Sequence, residues 1–218
     1  MKTPFTREQF LEVFKNYNEA VFPIQVFFYL ISVLVVYYTL KPNNQSNKII
    51  STILAFFWLW MGVVYHLIFF TVINKAAYLF GALFILQGIL FLILGVFQNK
   101  LSFAFSFDMY GITGTTLTAY ALIIYPVFGF FLGHNYPHSP TFGLPCPTTI
   151  FTFGLLIMSN KKFPDITLII PLLWSIIGFS AAFNFSIYED TALIIAGVLT
   201  FFMLRFKNRM LRLNNKSS

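Results

Sequence analysis

The chain has little charge. Charged residues fill 10% of its 218 positions, against about 25% in an ordinary soluble domain. That excludes a water-facing globular surface as the main environment. Cysteine is nearly absent: with Cys146 alone, no intramolecular disulfide can form, and the thiol is free, shared with another chain or bound to something. Seven acidic residues and three histidines leave few groups for proton-transfer chemistry. No phosphate-cradling glycine loop, serine–histidine–acid set or paired catalytic carboxylates occur. No lysine lies in the middle of an apolar run, which excludes a retinal-type Schiff base. Arg7, Glu8, Glu12 and Glu19 stand in the first twenty residues with no small-residue cleavage pattern, so this stretch does not read as a secretory signal peptide. Together these absences lean away from an enzyme.

What is abundant is apolar. Hydrophobic residues make up 58% of the chain, mean hydropathy is +0.77, and thirty residues are Phe. A bilayer core about 30 Å thick needs about 20 apolar helical residues to cross it. Such runs lie at 20–40, 49–70, 77–97, 110–132, 166–185 and 191–206, with a shorter one at 147–159. The expected fold is all-α: a seven-span transmembrane helix bundle forming one membrane domain over 1–218. An amphipathic helix over 6–18 precedes it. There Thr6 and Gln9 make a capping box, and Phe10, Val13, Phe14 and Tyr17 recur at helical spacing opposite Glu8, Glu12, Lys15 and Glu19. This pattern suits a helix lying flat at the headgroup boundary; the alternative is a packed first helix of the bundle.

Net charge is +7, but the basic residues sit in short loops and near the C-terminus. That distribution speaks for membrane orientation and anionic headgroups, not nucleic acid. With seven spans, four Lys and Arg fall on the N-terminal side and ten on the other, the fourteen of the chain. The positive-inside rule then puts the N-terminus outside and the C-terminus inside, with 207–218 as a basic cytoplasmic tail.

The unusual chemistry gathers on the outer side. Residues 133–149 hold His134, His138, Cys146 and four of the ten prolines, with no charged side chain. Such a stretch cannot be a regular helix. A helix over 147–159 rises only about 20 Å, so 141–146 is expected to descend into the membrane in extended form, lining a cavity. Broken helices of this kind often mark transport sites. Cys146 would face the positive end of that helix, a setting that favours a thiolate; the alternative is a Pro-kinked continuous helix with Cys146 merely packed. Thr148 and Thr149 add hydroxyls. His66 would lie roughly 6 Å below the outer surface, as an intramembrane functional group or a satisfied structural one. Glu189 and Asp190 stand at the outer mouth, Asp190 reading first as a helix N-cap.

The candidate cavity residues are therefore His66, Cys146, Thr148, Thr149, His134, His138 and Glu189. No cofactor is assigned. Imidazole and thiolate are zinc and copper ligands, so His66, His134 and Cys146 are the residues a transition metal would use. Gly81, Gly88 and Gly95 recur at seven and offer a face for close helix approach; Gln87 and Asn184 are candidates to join helices through hydrogen bonds. Local echoes, such as Phe22-Pro23-Ile24 with Leu144-Pro145-Cys146, suggest a parallel three-plus-one-plus-three repeat, as in the sugar-transporting SWEET proteins.

Two stretches carry a resemblance: Phe57-Trp58-Leu59-Trp60-Met61-Gly62-Val63-Val64-Tyr65-His66-Leu67, and Thr141 through Gly154 (TFGLPCPTTIFTFG). With Ala77-Tyr78-Leu79-Phe80-Gly81-Ala82 between them, they resemble a family of small bacterial polytopic membrane proteins of unknown function. The resemblance implies a multi-pass protein of the inner membrane and carries no activity. The leading expectation is a transporter-like or solute-binding permease, partnered by the lipid bilayer and a small solute or metal ion. The alternatives are a metal- or redox-dependent membrane enzyme and a structural or accessory subunit.

Overall fold

The computed structural model describes residues 4–214, and among these the chain forms eight helices and no strand. They are α1 (Arg7–Val21), α2 (Ile24–Leu40), α3 (Ser46–Val72), α4 (Ala77–Phe97), α5 (Met109–Phe131), α6 (Pro145–Ile157), α7 (Ile166–Phe185) and α8 (Thr191–Asn214). Four of them, α3, α4, α5 and α7, are long and apolar enough to cross a membrane; α1 and α2, bent by 84° at Phe22–Pro23, make a fifth candidate if taken as one span. Helix α6 has only thirteen residues. Helix α8 turns cationic from Arg205 and stays helical through most of the expected tail; Lys2 and Lys216, both counted for orientation, lie outside the described residues.

Helix α6 is the centre of the bundle. It contains no charged residue, and every residue of it except Cys146 is buried. A helix apolar all round is one surrounded by protein or lipid; here the neighbours are α5, α7 and α8. The α5–α6 contact is backbone-close because two glycines face each other: a Cβ on Gly154 would come 2.7 Å from the Gly114 carbonyl oxygen, and one on Gly114 2.6 Å from that of Gly154. The α4 glycine stripe works as its spacing implies. A Cβ on Gly81, Gly88 or Gly95 would strike Leu67, Leu59 or Ser51 of α3. Gln87 joins helices, donating to the Thr167 carbonyl at 3.1 Å. Asn184 does not: it donates back to Ser180 of its own helix at 2.6 Å.

The loops cluster at two ends. At one, Phe105 N–H donates to Thr39 O, Phe103 N–H to the Asn47 side chain and Ala104 N–H to Met158 O, at 2.9, 2.9 and 3.2 Å. Asn208 brackets Phe163 there, donating to its carbonyl and accepting from its N–H. At the other end lie α1, the 132–144 segment and the turn at 186–190. The expected repeat is not reproduced in the packing: α6 lies extensively against α8, whereas its counterpart α2 packs on α3 without an extensive contact to α4.

Helix α1 starts as its sequence dictates. Gln9 N–H donates to the Thr6 hydroxyl at 3.2 Å, and Thr6 N–H to the Gln9 side chain at 2.8 Å. Its apolar face, with Phe10, Val13, Phe14 and Tyr17, is buried, but against protein. Phe10 sits 5.0 Å from the Phe185 ring and 5.8 Å from Phe70. The amphipathic pattern thus serves to roof one end of the bundle, with Glu8, Glu12 and Glu19 turned outward.

Candidate functional site

Beneath that roof is a cavity of about 180 Å³. Helix α1 contributes Phe10 and Phe14, α3 contributes Tyr65 and Phe70, and α4 contributes Phe80; Trp174 and Gly178 come from α7. Cys146, at the second position of α6, and Asp190 also line it, with Asn74, Ser180 and Asn184 as uncharged polar groups. Among the described residues, Asp190 is its one charged side chain.

The segment before α6 makes this possible by staying non-helical as it turns inward, with Phe142, Gly143 and Leu144 buried. Backbone of that kind requires partners inside the protein. Asn18 of α1 supplies them, donating to Pro137 O at 2.6 Å and Ser139 O at 2.8 Å, while Gln25 and Thr141 donate to its side-chain oxygen. Gly143 has φ of +100°, and a Cβ there would lie 2.3 Å from Phe28, so only glycine fits. Its N–H donates to the Thr148 hydroxyl at 3.0 Å. The short, broken fifth segment of the sequence reading is therefore present, starting at Pro145 rather than Pro147.

Asp190 lies in the Tyr188–Asp190 turn between α7 and α8 and is buried. Its carboxylate accepts from the Tyr125 hydroxyl, and Cys146 lines the same cavity. Burial pushes the carboxyl up to about 7; the Tyr125 donor opposes that rise, and neighbouring Glu189 adds to it. Asp190, which stands directly before α8 where an N-cap falls, is also the acidic group lining the cavity.

Glu189 is wholly buried and pairs with His134 Nδ1 at 2.8 Å. Arg7 Nη2 lies 3.4 Å from His134 Nε2, and Arg7 Nε donates to Phe185 O at 2.9 Å. A neutral imidazole donates from one nitrogen and accepts at the other; with a carboxylate at Nδ1 and a guanidinium at Nε2, the geometry selects the Nδ1–H tautomer. Tyr120 O–H donates to Glu189 O at 2.9 Å. Gly129 leaves room for the pair, since a Cβ there would lie 3.0 Å from Glu189 Oε1. Glu189 Oε2 has no hydrogen-bond partner among the described residues.

The other expected site residues fall elsewhere. His66 is fully buried in a π-helical stretch of α3, its ring 4.5 Å from Phe84 and 5.1 Å from Trp174. Neither ring nitrogen has a hydrogen-bond partner among the described residues. It backs the Trp174 wall and does not itself line the cavity. Thr148 is occupied with Gly143, Thr149 is buried away from the cavity, and His138 is half exposed, 3.7 Å from Glu12. His66, His134 and Cys146 do not converge. Among the described residues, no three His, Cys, Asp or Glu side chains stand close enough to share a metal ion. Their surroundings explain this: His134 is taken by Glu189 and Arg7, and His66 is packed among aromatic rings.

Tyr125, Trp174, Arg7 and Asn18 were not visible as site residues. Arg7 and Asn18 lie on the first amphipathic helix and Tyr125 and Trp174 inside long apolar helices, where little in the local sequence sets them apart. The one available signal was Trp174, a polar-edged ring placed mid-span.

The chain matches a family model over residues 7–215 and belongs to that family, a family of unknown function (DUF6064). No curated protein and no solved structure matches it.

Proposed function

We propose that this DUF6064 protein is a multi-pass inner-membrane protein that captures a small solute from the outer side, in the manner of a permease. The observation carrying this reading is the aromatic cavity at the broken fifth segment, roofed by α1 and holding Cys146 and Asp190. Seven segments, α2 to α8, cross the bilayer, with the N-terminus outside. In support, the lysine-bearing loops around Lys41, Lys48, Lys100, Lys161 and Lys162 belong to the end opposite the cavity, and positive residues stay cytoplasmic. Apolar side chains such as Leu30, Val33, Ile123, Phe131, Phe183 and Phe202 are exposed, as lipid contact requires. Helix α6 needs no lipid face, because α5, α7 and α8 surround it.

The sole cysteine supplies the test. A small membrane-impermeant thiol reagent is expected to label Cys146 from the outside, slowly in the native chain and faster when Phe10→Ala and Phe14→Ala loosen the roof. No labelling in the roof variants, or labelling only from the cytoplasmic side, would overturn the reading and leave a structural or accessory role.

A further inference from the structure

We propose that the cavity selects a small organic cation built on a single aromatic ring; this rests on the solute-site reading above. Size sets the first limit. An apolar cavity of about 150 Å³ holds benzene, and drug-sized ligands need about 300 Å³ or more. A cavity of about 180 Å³ matches one ring with a compact head group.

Charge sets the second limit. Among the described residues, Asp190 is the one charged residue lining the cavity, and no Lys, Arg or His does so. Arg7, at this end, is directed to His134 and Phe185. The carboxylate is held in place by Tyr125, whose hydroxyl donates to it. An anion would meet Asp190 uncompensated in a water-poor pocket, whereas a cation would complete it.

The walls give the third argument. Tyr65, Phe80 and Trp174 present rings to the cavity. Aromatic faces carry negative electrostatic potential and attract cations, most strongly once water is removed. The remaining polar demand is the Trp174 indole N–H: this residue is over nine-tenths buried, lines the cavity and has no hydrogen-bond partner for Nε1 among the described residues. An unmet buried donor at the wall marks a place for a ligand's polar atom. Gly178 keeps this corner open, since Cys146 Sγ and Trp174 Nε1 both lie 3.5 Å from the position its Cβ would take.

The test uses the full chain in lipid nanodiscs and reads protection of Cys146 from N-ethylmaleimide. Three probes are compared: benzyltrimethylammonium, its neutral carbon isostere neopentylbenzene, and phenylacetate. Benzyltrimethylammonium is expected to protect at a concentration roughly 30-fold below the neutral isostere, the size of a desolvated cation–aromatic and carboxylate preference. Phenylacetate is expected to give no protection. Asp190→Asn should abolish the cation preference while neopentylbenzene still protects, which also reports that the variant keeps its cavity. Equal protection by cation and isostere, or better protection by phenylacetate, overturns the cation assignment and spares the solute site. Protection by none of the three, with Cys146 still reactive from outside, overturns the assignment too; failure of outside labelling itself is what removes the solute-site reading.

Discussion

Replacing Gly154 with alanine is a direct probe of how α6 is held. The added methyl would lie 2.5 Å from Thr118 Oγ1, 2.7 Å from Gly114 O and 2.9 Å from Thr118 N. Carbon–oxygen contacts in close-packed helices are normally about 3.3–3.6 Å, so α5 and α6 must part by roughly 0.6–0.9 Å. Two of the three obstructing atoms are backbone, which cannot rotate away. Overpacking of this kind costs about 1–3 kcal/mol. In a chain of this length each kcal/mol lowers the melting temperature by about 2–4 °C, so Gly154→Ala should melt about 2–12 °C below the parent. Thermal unfolding in detergent, followed by near-ultraviolet circular dichroism, reads this. Thr118→Ala in the Gly154→Ala background removes only the nearest atom and should restore a minor part of the loss. An unchanged melting temperature for the single variant, or full recovery in the double, would refute the close backbone contact between α5 and α6.

Other perturbations address the outer end. Asn18→Ala deletes two donated and two accepted hydrogen bonds inside the protein. It should cost about 2–3 kcal/mol and accelerate amide exchange in 135–144 while sparing α4. Asp190 gives a pH signature. Its carboxyl is raised by burial to about 7 from an ordinary 3.8, so its favourable contribution is fully present below about 3.8 and is lost as pH rises through about 7. Melting temperature should therefore decline between about pH 4 and 7, with Asp190→Asn flattening that decline; a parallel slope in the variant would assign it to another group. Gly178→Ala meets only the end of Leu193 at close range, so it should leave the melting temperature nearly unchanged while reducing N-ethylmaleimide access to Cys146. A large destabilisation would mean that the corner is not open.

The readable parts of this fold are those set by local chemistry. The capping box at Thr6 and Gln9, the glycine stripe on α4 and the failure of 133–144 to be helical each follow from a few neighbouring residues. The helix start was misplaced by two residues because both Pro145 and Pro147 can occupy a first turn. The site was half legible. Cys146 and Glu189 could be picked out as rare polar groups near an apolar boundary. Their partners could not, because Arg7 meets His134 across 127 positions and Tyr125 meets Asp190 across 65, and periodicity holds no information about such pairings. The same limit explains the metal expectation. Ligand-type residues at similar depth looked convergent, yet each had been claimed by a nearer partner. Helix α1 was misread in its surroundings rather than its pattern, since an amphipathic face is compatible with lipid or with the rings of Phe70 and Phe185 alike.

The complete enclosure of α6 bears on how the protein is assembled. Two-stage insertion relies on each helix being stable in lipid before it finds its neighbours, and thirteen residues rise only about 20 Å, short of the bilayer core. Such a segment has no stable residence of its own. It becomes tenable when α5, α7 and α8 have formed a sleeve around it, so α6 would settle only once α8 has been made. A chain arrested before α8 would leave it without one wall of that sleeve.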